Sequence, residues 1–166
     1  MNYADPKPQI FNFAFTLIEV SVVLAISLII MTFAIVGISS FQSSAYLDTS
    51  LEVFISDIKS QQNNAMNGVV NESGNTSTYG VHFNENTYTL FTGSVYNPNN
   101  ESNFEATLDG NVIFQNITLP NNEIIFQKGS GEIEGYVNGL DSISILSPSG
   151  EEVLITFNKL GVITSL

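Results

Sequence analysis

Between Val20 and Ile38 the chain carries nineteen consecutive residues whose only polar members are Ser21, Ser27 and Thr32. At about 1.5 Å per residue, a helix of that length spans roughly the hydrocarbon thickness of a bilayer. Neither proline nor charge interrupts the run, and its one glycine, Gly37, lies near the end, so nothing obliges the helix to stop there. After the polar patch "SSFQSS", the apolar positions Leu47, Leu51, Phe54, Ile55, Ile58, Ala65 and Met66 fall three or four apart, with Asp48, Glu52, Asp57, Lys59 and Asn63 in the gaps. The spacing predicts one helix from Phe15 to about Asn67. Residues 15–38 form its transmembrane part, and residues 39–67 carry a greasy stripe that something must cover.

The remainder, residues 68–166, supplies the cover. "NGVVNESGNTSTYG" reads as a loop, and "YGVHFNENTYTLFTG" alternates as two short strands about an Asn-Glu-Asn turn. "SVYNPNNESNFEATLDG" reads as a polar excursion, and "NVIFQNITLPNNEIIFQKGSG" as two apolar segments flanking Leu119 to Asn122. The last stretch divides into three strand-like runs at "SPSG" and "NKLG", with Val153, Ile155 and Phe157 on one face. The expected fold class is α+β: a long N-terminal helix packed on seven or eight antiparallel strands joined in short hairpins.

Composition narrows the partners. Sixteen acidic residues against four lysines, with no arginine, give a formal charge of -12, which repels phosphate backbones and argues against nucleic acid. With no cysteine, disulfides and thiolate metal sites are excluded.

Glu19 is the charge that needs a reason. A carboxylate inside a membrane span costs roughly 2.5 to 3.5 kcal/mol and is usually partnered, yet Glu19 has no basic neighbour in its own helix. Cutting the chain a few residues upstream would create an α-amino group at the membrane edge, and two unit charges about 4 Å apart gain a few kcal/mol at an effective dielectric near 20. The ordinary alternative is a signal anchor with an acid that suits the helix dipole and a small-residue cleavage site at Ser43-Ser44-Ala45. Against it stand an apolar segment longer than a secretory core and a leader with Lys7 alone.

The stretch "FTLIEV", preceded by a small residue and followed by an unbroken apolar run, resembles the processing motif of type IV prepilins and type II secretion pseudopilins. That resemblance implies a leader at 1–14, cleavage between Ala14 and Phe15 by a prepilin peptidase, N-methylation of Phe15, and pairing of Glu19 with the N-terminus of an adjacent subunit. Glycine usually precedes the cut in that family, where this chain has Ala14, and the helix-breaking proline of major pilins is missing near Val36. The later segments "LEVFISDIKSQQNNAMNG", "YGVHFNENTYTLFTG", "EIIFQKGSGEIEG" and "ITFNKLGVI" resemble the order of elements in GspH-like minor pseudopilins, which implies a long helix followed by an antiparallel β-sheet or a small sandwich of two sheets. The partners so implied are the peptidase, other pilins or pseudopilins in a filament, an inner-membrane assembly platform and membrane lipid. The leader, with Lys7, is expected on the cytoplasmic side of a bacterial cytoplasmic membrane and the acidic domain outside it, extractable into a filament.

Enzyme chemistry finds little support. The single histidine, His82, lies on the strand face opposite Tyr79, Val81 and Phe83 and is expected to face solvent. "KGSGEIEG" lacks the ending of a phosphate loop and reads as a turn. Glu132, Glu134, Asp141, Glu151 and Glu152 lack the spacing of a calcium loop, and no cofactor is called for. The alternatives are an anchored, adhesin-like binding module and, further off, a secreted hydrolase.

Overall fold

A computed structural model of the chain describes residues 15–69 and 77–165, leaving aside the side chains of 34–41 and of Ser165. The expected leader with Ala14, the side chains of Ala34 to Ile38 and most of the first Asn-rich loop lie outside the described residues. The chain divides into two units between Ser39 and Ser40.

Helix α1, Leu17–Met66, begins in the first unit and ends in the second, close to the bounds its sequence predicts. In the first unit every described side chain from Phe15 to Phe33 is exposed. In the second, the stripe is covered: Leu47, Phe54, Ile58 and Ala65 are buried, with Leu51 and Ile55 packed beside them. Full burial of each large apolar side chain contributes about 1.5–3 kcal/mol. Met66 is the exception at the stripe's end, 48% exposed where the helix runs out.

Among the described residues eight strands follow: β1 (Tyr79–Phe83), β2 (Thr87–Thr92), β3 (Phe104–Thr107), β4 (Ile113–Gln115), β5 (Glu123–Phe126), β6 (Ser142–Leu146), β7 (Glu152–Phe157) and β8 (Ile163–Ser165). They form two antiparallel four-stranded sheets, ordered β3-β2-β1-β5 and β4-β6-β7-β8. The β1–β2 hairpin turns at Asn84-Glu85-Asn86 as expected, with the Asn84 N–H donating to the Thr87 carbonyl at 2.9 Å.

Two sequence expectations are corrected. The polar stretch after β2 contains a strand, β3, an edge strand whose side chains are mostly exposed and so show no apolar alternation. The two apolar segments flanking Leu119 to Asn122 do not pair; β4 and β5 belong to different sheets. A one-turn 3₁₀ element, Pro120–Asn122, separates them, and Asn121 and Asn122 both take φ of 55° there, a left-handed turn that asparagine tolerates.

Phe54 joins helix and sheets. Its ring meets Phe83 of β1, Tyr88 of β2 and Phe114 of β4 edge to face, at centroid distances of 5.8, 5.4 and 5.3 Å. Such aromatic pairs add to simple burial. One turn on, Asp57 accepts a hydrogen bond from the Tyr88 hydroxyl at 2.6 Å. Near the helix end the Gln62 amide donates to the carbonyls of Gly131 and Leu160, at 3.0 and 2.6 Å, which ties both loops to α1.

Candidate functional site

The start of α1 is built by its own sequence. Thr16 sits at the N-cap position, and its hydroxyl accepts the backbone N–H of Glu19 at 3.3 Å. Thr16-Leu17-Ile18-Glu19 has the Thr-x-x-Glu spacing of a capping box, in which the threonine satisfies an orphan N–H and an acid suits the positive helix end. The fit of Glu19 to the helix dipole was expected from the sequence; the Thr16 cap, legible in the same spacing, was not. Phe15 is 79% exposed just before the helix.

From Val20 to Phe33 every hydroxyl of the helix is satisfied within the helix. The hydroxyls of Ser21, Ser27 and Thr32 donate to the carbonyls of Leu17, Val23 and Leu28, four residues back, at 2.9, 2.8 and 2.9 Å. With those groups satisfied internally, Leu17, Ile18, Val20, Val22, Val23, Leu24 and the residues on to Phe33 make a cylinder that is apolar on every side. Among the described residues no helix is long and apolar enough to cross a membrane. In the first unit the described side chains of α1 end at Phe33, a run of seventeen residues counted from Leu17, and the rest of the apolar sequence run lies outside them.

His82 is not solvent-facing. Its ring stacks against Tyr96, with centroids 4.1 Å apart and planes 10° from parallel, and its side chain is only 20% exposed. The opposite-face assignment was right, but that face is covered. Tyr96 also packs on Phe91, itself buried on the same face, where Phe91 lies over Gly80. Strand register sets Glu105, Thr89, His82 and Glu123 side by side across the sheet. His82 Nδ1 stands 3.9 Å from a Glu123 oxygen and makes no hydrogen bond. Burial pushes the His82 pKa below its ordinary value and that of Glu123 above. Among the described residues no serine or threonine hydroxyl is hydrogen-bonded to His82 Nδ1. No cluster of three metal-ligating side chains occurs among the described residues either.

The chain was compared with known protein families, with curated proteins and with solved structures, and no match was found.

Proposed function

We propose that this chain is a structural subunit of a pilin-like filament, a minor pseudopilin or pilin without catalytic activity, held in the membrane and assembled through its N-terminal helix. The observation that carries this reading is the first half of α1: apolar on all sides, its three hydroxyls bonded internally, and a single carboxylate, Glu19, at its start. Such a surface is stable only when lipid or other apolar helices surround it. The sequence continues apolar to Ile38, which brings the run to a membrane-spanning length. The sequence motif adds the order of events: a prepilin peptidase removes 1–14, Phe15 becomes the N-terminus and is methylated, and Glu19 of one subunit pairs with that amino group on the next. The acidic domain then lies outside the cytoplasmic membrane, carried by the buried stripe of the same helix.

Mass analysis of the N-terminus of the mature protein from its host tests this. N-methyl-Phe15 is the expected result; a start at Tyr46, or an intact Met1, overturns the filament reading.

A further inference from the structure

On the side of β5 away from the core, a cleft of about 200 Å³ lies between Glu123 and Ile125 and the loop that carries Ile133 to Asp141. Its walls are apolar, with Leu119, Ile125, Ile133, Val137 and Leu140. Val137 and Leu140 are about half exposed, at 47% and 46%. Three carboxylates stand in the same wall, Glu123, Glu134 and Asp141, and no lysine lines it. Asp141 is held in place by the Tyr136 hydroxyl, which donates to it at 2.8 Å. Lys159, on the neighbouring turn, is engaged elsewhere, 3.3 Å from Glu132. Glu123 is 14% exposed, accepts a side-chain hydrogen bond from Asn121 and stands 3.9 Å from the His82 imidazole, and among the described residues no lysine pairs with it. The cleft therefore combines greasy walls with three carboxylates, none of them paired with a lysine among the described residues.

We infer that this cleft receives a lysine or arginine side chain from a partner protein, the aliphatic stem lying on Val137, Leu140 and Ile125 and the cationic head reaching Glu123, Glu134 and Asp141. Long basic side chains bury their stems on apolar surface and keep the charge at a polar rim, which is the pattern this cleft offers. The volume suits one such side chain. A second copy of the domain is a poor occupant, because a chain with a net charge of -12 repels its like and has few lysines to offer. The partner is thus a different, basic protein, and the cleft is a heterotypic contact. The inference is independent of how the N-terminal helix is used and would survive the failure of the filament reading.

Binding of fluorescein-labelled peptides to the full-length protein in detergent tests it. The probes are Gly-Leu-Lys-Leu-Gly and two analogues, with norleucine or glutamate in place of lysine. The lysine peptide is expected to bind about tenfold more tightly than the norleucine peptide, and the glutamate peptide not at all. Glu134→Gln, at an exposed position, and Val137→Asn are each expected to weaken the lysine peptide several-fold, while Glu101→Gln, on a distant polar loop, leaves it unchanged. Equal affinity for lysine and norleucine, no binding of the lysine peptide, or equal weakening by Glu134→Gln and Glu101→Gln each overturns the assignment.

Discussion

The two halves of α1 share one backbone geometry and differ in how their apolar residues are spaced. From Leu17 to Phe33 they occur all round the helix and are exposed; from Leu47 to Ala65 they recur every three or four residues and the stripe is buried. The difference shows where each half finds its cover. A stripe about a third of the circumference wide can be covered by the chain's own sheets. A surface apolar on all sides needs neighbours on all sides, which one acidic domain cannot supply.

Substitutions of one kind in the two halves should therefore act differently. Phe54→Ala removes the ring that touches both sheets and is expected to cost the domain about 3–5 kcal/mol. Ile26→Ala in the exposed half should leave that stability within about 0.5 kcal/mol. Chemical denaturation followed by circular dichroism of the domain's signal measures both, and equal losses would erase the distinction.

A smaller effect is expected at the strap between Asp57 and Tyr88. Hydrogen bonds to a charged group contribute about 1.5–3 kcal/mol, and partial exposure places Tyr88→Phe near the lower end. A loss below about 0.5 kcal/mol would mean that the phenol contributes its ring alone.

The smallest effect is a pH slope from His82. Burial lowers its folded pKa, so the unfolded chain binds the proton more readily and stability falls as the pH drops through the unfolded value near 6.5. Glu123 acts with the opposite sign: burial raises its folded pKa, so stability rises as the pH falls through that raised value toward the unfolded 4.5. His82→Gln should remove the first slope and leave the second. Thermal melts between about pH 7.5 and pH 5.5 check this, and an unchanged fall in the midpoint would place the slope elsewhere.

How much of this could be read in the sequence follows the same contrast between regular and irregular parts. The stripe from Leu47, the β1–β2 hairpin and the faces of β7 were legible because burial there follows a fixed period. The edge strand β3 was not, since Phe104 is 62% exposed and its neighbours are a charge and small residues. The cover over His82 comes from Tyr96 in a loop without periodicity, so the alternation of β1 predicted the right face and the wrong exposure. The cleft beside β5 is assembled from residues 119–125 and 133–141, and no local pattern announces that meeting. At Glu19 the anomaly of the charge and its fit to the helix dipole were plain, while the Thr16 hydroxyl that caps its backbone N–H was not anticipated.

Those two roles of Glu19 can be separated by one substitution. Glutamine also serves as the third helical residue of a capping box but carries no charge. The decisive measurement is the fraction of Glu19→Gln protein recovered in filaments sheared from cells, alongside the fraction inserted in the membrane. Pairing with the Phe15 amino group predicts normal insertion and folding with filament recovery reduced at least about tenfold, the equivalent of about 1.4 kcal/mol or more. Recovery equal to the unsubstituted chain would contradict it and leave Glu19 as the residue that, with Thr16, starts the helix.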